Sequence, residues 1–298
     1  MHNIADNEVC AIIVTYNATD ELLENIAAIR PQVSRLVVVD NGSSPEGLAL
    51  VACASETFDC ELIRNDSNLG IATALNIGIG RAASHGNKQA IFFDQDSIVG
   101  DRQYVASMLD VYNARNQSGR VAIVVPRYID RSSGATLPLA KTRDGCLLTS
   151  ITSGSFVPMD IFKALGLHDE SLYMDYVDIE FSLRCRRAGY LIVEAPRAIL
   201  RHSLGVLTTH RLGARVFTST HHNSNRRYFI TRNRLLLMRR YWRDWPWFIH
   251  ELRAFALELI KIVLVERNKG DKIRNIARGA VHAFQNKTGR QMRWERGS

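Results

Sequence analysis

Two aspartates stand two residues apart in Asp94-Gln95-Asp96, directly after the apolar run Ala90-Ile91-Phe92-Phe93. That run reads as a buried strand. Carboxylates at the carboxyl end of an α/β strand occupy the edge where such sheets bind ligands. Two acids this close repel each other unless a positive charge lies beside them. A divalent cation with a diphosphate attached supplies that charge, and hard oxygen donors suit Mg2+ or Mn2+. The same residues also read as a solvated Asp-rich turn, because the motif is short.

Three further positions have side chains suited to such a site. Asp40 ends the β-branched run Leu36-Val37-Val38-Val39. A carboxylate there can accept a hydrogen bond from the N3–H of uracil or thymine, or it can merely shape the Asp-Asn-Gly turn that follows. Asp178 and Glu180, with Asp175 just before them, lie at the amino end of a segment through Tyr190 that reads as a helix stopped at Gly189. The helix dipole favours carboxylates there, so capping accounts for them as readily as proton transfer does. Spaced i and i+2, Asp178 and Glu180 cannot share a helix face, so one alone is expected to point into a site. His202, 24 positions after Asp178, has an imidazole that can complete an oxygen-rich cation site or serve structure alone.

The elements that must position these groups follow from periodicity. Strands are predicted at Val9 to Tyr16, Leu36 to Val39, Glu61 to Arg64 and Ala90 to Phe93. Helices are predicted from Thr19 or Asp20 to Pro31, from Leu48 to Ala54 and from Ala72 to Ala83. Alternation of this kind specifies βαβ units and a mainly parallel sheet. Right-handed crossovers put the loops after each strand on one edge. Beyond Ser97 come a helix through Ala114, a strand from Val121 ended by Pro126, the small-residue segment Ile151 to Val157, and strands at Leu191 to Val193 and Ala198 to His202. Residues 203–224 lack periodicity and read as a loop. Asn225 to Tyr241 is a basic helical segment. In residues 242–266, Phe248, Leu252, Phe255 and Leu259 recur at helical spacing. Beside Trp242, Trp245 and Trp247, this fits a helix lying on a bilayer, a core helix or a dimer interface equally.

Composition narrows the class. A chain of 298 residues with 46% hydrophobic content allows one large domain, or one with an appendage. No apolar stretch reaches the ~18 residues of a membrane span. Five cysteines without a C-x-x-C pair read as reduced thiols in a cytoplasmic protein. The net charge of +8 is concentrated at the carboxyl end, where residues 226–298 carry 18 Lys and Arg against 6 Asp and Glu. Such a segment suggests an anionic partner. No G-x-G-x-x-G follows the first strand and no G-x-x-x-x-G-K-[ST] occurs, which leaves a dinucleotide oxidoreductase or P-loop NTPase without support.

The order of the strand-end loops carries a resemblance. Ile13-Val14-Thr15-Tyr16-Asn17, Val39-Asp40-Asn41-Gly42-Ser43-Ser44, Asn68-Leu69-Gly70 and Phe92-Phe93-Asp94-Gln95-Asp96-Ser97 resemble family 2 glycosyltransferases of the GT-A fold, and the last looks like the bacterial rhamnosyltransferase branch. The resemblance implies a Rossmann-like, mainly parallel sheet flanked by helices, with a catalytic domain over 1–225 and a basic helical extension over 226–298. Within the domain, 1–97 would be the nucleotide-sugar half and 98–225 the acceptor half. It implies a nucleotide pocket lined by Thr15, Tyr16, Asn17, Asp40, Asn68, Gly70 and Asn76. Asp94 would lie near the ribose with Gln95 beside it, Asp96 and His202 on Mg2+ or Mn2+, and Asp178 as the general base. Arg232, in the pattern Arg226-x-Tyr228-x-x-x-Arg232-Asn233, would read the diphosphate, unless that helix merely presents a solvated positive face.

The expected activity is inverting transfer of L-rhamnose from dTDP-β-L-rhamnose to a glycan, lipid-linked, in surface polysaccharide such as O-antigen. The expected location is the cytoplasm, at the inner face of the membrane. A UDP-hexose donor is the nearest alternative. A nucleic-acid-binding protein using the basic tail and a catalytically dead scaffold are the rivals from other classes.

Overall fold

The computed structural model describes residues 8–131, 133–202, 208–212, 215–219 and 222–291; at 202, 208–212 and 215–219 the description is of the backbone alone. His210 and His221 therefore lie outside the described side chains. The chain divides into two compact units, residues 1–170 with 177–203, and residues 171–176 with 204–298.

The first unit is built on an eight-stranded sheet. Its strands are β1 (Val9–Thr15), β2 (Arg35–Asp40), β3 (Glu61–Arg64), β4 (Gln89–Asp94), β5 (Ile98–Val99), β6 (Val121–Asp130), β7 (Phe156–Pro158) and β8 (Leu191–His202), in the order 3-2-1-4-7-6-8-5. The first four are parallel. Thr15 pairs with Asp40, Asp40 with Arg64, and Val14 with Asp94, so their carboxyl ends align along one edge. β7 runs antiparallel between β4 and β6. Every residue of β1 is buried, as expected for a central parallel strand covered on both faces. Each such Val or Ile contributes about 1.5–3 kcal/mol by leaving water.

The crossovers are α1 (Glu21–Ile29), α2 (Pro45–Phe58) and α3 (Ile71–Ser84), followed later by α4 (Tyr104–Arg115), α5 (Met159–Leu165) and α6 (Val177–Arg187). α2 begins three residues before the expected Leu48. Ser44 caps it by accepting from Gly47 N, and Pro45 takes the first helical position. β6 does not stop at Pro126. It continues to Asp130 through a register shift between Pro126 and Arg127, a bulge that tolerates the missing N–H.

The second unit contains an antiparallel hairpin, β9 (Thr208–Leu212) with β10 (Arg215–Ser219), in the stretch read as a loop. No apolar alternation marks these strands, so the pattern had no period to detect. Three helices follow: α7 (Ser224–Arg240), α8 (Trp245–Val265) and α9 (Lys269–Phe284). α7 is not a solvated positive face. Arg227, Arg232 and Arg234 are among its buried residues. On α8 the buried positions are Trp247, Glu251 and Ile262 rather than the expected stripe, of which Leu252 is exposed. No helix among the described residues is long and apolar enough to cross a membrane. All five cysteines are free, and burial pushes the Cys10 and Cys185 thiols up to about 12.

Candidate active site

The aligned ends of β1 and β2 build the first wall. Asp40 is almost wholly buried. Its Oδ1 accepts from Thr15 Oγ1 at 3.1 Å and from Ser43 Oγ, and its Oδ2 accepts from Ser43 N at 3.1 Å. Two carboxylate oxygens offer about four acceptor directions, so one remains, on Oδ2. Asn17, in a left-handed conformation, closes the turn. Its N–H donates to Ser43 Oγ at 2.7 Å, and its Oδ1 accepts from Ser44 N at 2.8 Å. The Asp40 turn is therefore a preformed cradle tied to β1.

Asn41 builds the second wall and was not singled out from the sequence. Its Oδ1 accepts from Leu69 N at 3.0 Å and from Asn65 Nδ2 at 3.1 Å, while its Nδ2 donates to Asn68 Oδ1 and Gly70 O. Asn68 Oδ1 also accepts from Gly70 N at 3.0 Å. Gly42, at φ +80°, touches this loop so closely that a Cβ would lie 2.4 Å from the Ser67 carbonyl carbon.

The acidic strand end is pinned from both sides. Gln95 Oε1 accepts from Tyr16 N at 2.8 Å, joining the β4 end to the β1 end and giving the glutamine a definite job. Asp94 N donates to Ser153 Oγ at 3.1 Å, and Asp94 O accepts from Asn25 Nδ2 at 2.9 Å. Ser153 Oγ also lies 2.6 Å from Ser97 Oγ. Asp96 is held by its carbonyl, which accepts from Arg131; its carboxylate has no partner among the described residues.

Residues 152–155 connect this end to the amino terminus of α6. Gly154 N donates to Phe92 O at 2.6 Å, while Thr152 N donates to Asp178 Oδ2 at 3.2 Å. Asp178 Oδ1 accepts from Ile179 N at 2.8 Å. Tyr128 lies among these groups, its hydroxyl donating to Ser153 O at 2.9 Å. Burial drives the Tyr128 phenol well above its usual range, and the nearby Asp178 and Asp94 charges push it further. Asp94 and Asp178, 84 positions apart in the chain, thus both act on one buried phenol. Tyr128 and Ser153 were missed. Ser153 lies in the small-residue stretch Ile151 to Val157, but nothing in the strand Val121 to Asp130 marks Tyr128.

Other expected residues serve the fold. Asn76 donates to His168 O at 3.0 Å and Glu170 Oε1 at 2.9 Å, and accepts from His168 N at 2.9 Å, so its amide holds the 168–170 turn instead of facing a donor. Glu180 is buried against Arg184 at 2.7 Å, which leaves Asp178 as the acid at that helix start. In the second unit, Arg226 grips Asp175 with two nitrogens. Arg232 is completely buried. It donates to Leu172 O at 2.9 Å, Gly289 O at 2.6 Å and Asn233 Oδ1 at 2.9 Å, so it braces the backbone and is not exposed to a diphosphate. His202 pairs with Asp130 in the strand register, and its side chain lies outside the described residues.

The parallel strands end in a carboxylate cradle and an acidic pair, with a helix-borne acid beside them, and solved structures of GT-A type glycosyltransferases share the fold. A mannosyltransferase from Pyrobaculum calidifontis, crystallised with GDP-Man and Mn2+, aligns at TM-score 0.61 and 16% identity over 94% of this chain and 88% of its own. GalNAc-T7, crystallised with UDP, GalNAc and Mn2+, aligns at 0.57 and 17% over 78% of this chain, which spans 47% of that one. Residues 10–155 match the model of glycosyl transferase family 2. The chain is 29% identical over 280 residues to dTDP-rhamnosyl transferase RfbF of Shigella flexneri, covering 89% of this chain and 91% of the relative.

Proposed function

We propose that this glycosyltransferase moves L-rhamnose from dTDP-β-L-rhamnose to a glycan acceptor with inversion at the anomeric carbon. The observation behind the chemistry is the tie from the Asp94 strand end to Asp178 through Ser153 and Thr152. The donor assignment is supported by the likeness to the Shigella flexneri rhamnosyl transferase across most of both chains.

The remaining acceptor direction on Asp40 suits the N3–H of thymine. Thr15 and Ser43 hold the carboxylate for it. Asp178 accepts the proton of the acceptor hydroxyl, and the Thr152 and Ile179 N–H groups keep both of its oxygens in position. A divalent cation fits the site. Asp96 presents a carboxylate, a hard oxygen donor, that no described residue engages. Asp96 would hold Mg2+ or Mn2+, with His202 as the second protein ligand, and the ion would neutralise charge on the departing diphosphate. No three described His, Cys, Asp or Glu residues cluster to hold a metal by themselves, so diphosphate and water would complete the shell. The acceptor in this reading is a polyprenyl-diphosphate-linked glycan at the cytoplasmic face of the membrane.

The test is donor turnover. The chain is incubated with dTDP- and UDP-sugars in Mg2+, Mn2+ or EDTA, and free nucleoside diphosphate is followed, with Asp96→Ala as control. Cation-dependent release from dTDP-rhamnose alone supports the reading. Release from a UDP-hexose instead keeps the chemistry and removes the donor assignment.

A further inference from the structure

α8 is turned so that its acids point inward and its apolar side chains point out. Glu251, Glu258 and, just past its end, Glu266 recur on one face with the buried Trp247 and Ile262. Each acid is taken by a cation of the same unit. Arg234 lies 2.8 Å from Glu251 and 2.7 Å from Glu258, while Arg227 pairs with Glu258 and lies 2.7 Å from Glu266. Lys272 lies 2.6 Å from Glu266. The opposite face carries positions 245, 249, 253, 256, 260 and 263 at helical spacing. There and alongside it, Trp245, Leu257, Ile260, Val263 and Leu264 are each more than half exposed.

We propose that this outward face of α8 docks on an anionic lipid bilayer. Its charge decides between occupants. Arg253 lies in the middle of the apolar stripe, and every acid of the helix is on the other side. A second copy of the chain, meeting this face through a two-fold axis, would set cation against cation with no acid to offset it. A surface of anionic headgroups over acyl chains satisfies both the cation and the apolar stripe. Trp242 and Trp245, both about half exposed at the start of the helix, have rings suited to the headgroup boundary, and the Arg243 guanidinium lies 5.1 Å over the Trp242 ring. α9 has the same make-up, exposing Ile273, Val281 and Phe284 beside Arg274 and Arg278. The helix lies on the bilayer, since no described helix can cross one. This inference stands on α8 alone and does not depend on the donor or on the role of Asp178.

The test is co-sedimentation of the full chain with vesicles of phosphatidylcholine, with and without phosphatidylglycerol, at low and high salt. The wild type should partition onto anionic vesicles at least about ten-fold more strongly than onto neutral ones, and high salt should erase most of the difference. Arg253→Ala should lower anionic partitioning about five-fold, and Ile260→Glu at least ten-fold. Circular dichroism should show both variants folded, because neither side chain is buried. No sedimentation, or equal partitioning onto neutral and anionic vesicles, overturns the proposal. So does a dimer seen by light scattering that Ile260→Glu dissociates.

Discussion

Gly42→Ala should damage the nucleotide cradle more than any ordinary glycine replacement. Two effects add. The residue has φ +80°, and a non-glycine residue there costs about 1–2 kcal/mol. The new Cβ would also lie 2.4, 2.6 and 2.7 Å from Ser67 C, Ser67 Cα and Asn68 N, all backbone. Ordinary contact begins near 3.4 Å, so the 41–44 turn and the 65–70 loop must separate by 3.4 − 2.4 = 1.0 Å. The bonds from Asn41 Nδ2 to Asn68 Oδ1 and Gly70 O, both already 3.3 Å, would break, each worth about 1 kcal/mol. The sum is about 3–4 kcal/mol, or a fall in Tm of about 6–16 °C for a unit of this size. Gly119→Ala is the control. It has φ +66° with no atom within 4 Å of the added Cβ, so it bears the conformational cost alone. Differential scanning fluorimetry of both variants, with and without dTDP, reads the difference, and Gly42→Ala should also lose most of the shift produced by nucleotide. Equal Tm values for the two variants would refute the contact argument, and an unchanged nucleotide shift would refute the assignment of this wall to the cradle.

Three further outcomes are expected. Burial depresses the His168 imidazole to about 3 in the folded chain, with Arg184 adding to the effect, against 6.5 when unfolded. Between those values the unfolded state binds the extra proton, so stability is full above pH 6.5 and falls by about 1.4 kcal/mol per pH unit below it. His168→Phe, whose ring suits a site lined by Phe92, Phe162 and Phe181, should remove one proton from that slope in urea titrations at pH 6 and pH 4.5. Asp178→Asn should lower kcat by about 10²–10⁴-fold with KM for the donor changed less than three-fold, measured as diphosphate release with acceptor present. Ser153→Ala leaves Asp94 N without its acceptor and should cost about 1–3 kcal/mol of stability. It should also lower kcat, whereas a purely structural Ser153 would change Tm alone.

Much of the fold was legible because its signals are local. The runs Val9 to Val14, Leu36 to Val39 and Ala90 to Phe93 are continuous and apolar, as strands buried on both faces read. Their alternation with helices fixed a parallel sheet, and with it the common edge holding Thr15, Asp40 and Asp94. Breaks in pattern failed where a nonlocal partner compensated, as at Pro126, whose missing N–H falls at a bulge. Arg232 and Asn76 show the limit for side chains. Both are polar residues on helices at spacings that suit a ligand, and both find backbone carbonyls far along the chain instead. Charge misled in the same way on α7, whose Arg227 and Arg234 are buried against acids on α8.

The sequence by itself determined the class of fold and which strand ends carry carboxylates, because periodicity and strand order are properties of neighbouring residues. Only the tertiary structure decided which polar groups face a substrate and which brace the protein. It alone brought Ser153 and Tyr128 between Asp94 and Asp178, and it turned the acids of α8 inward. A hydrogen bond or ion pair depends on where two distant segments meet, and spacing along one segment does not contain that information.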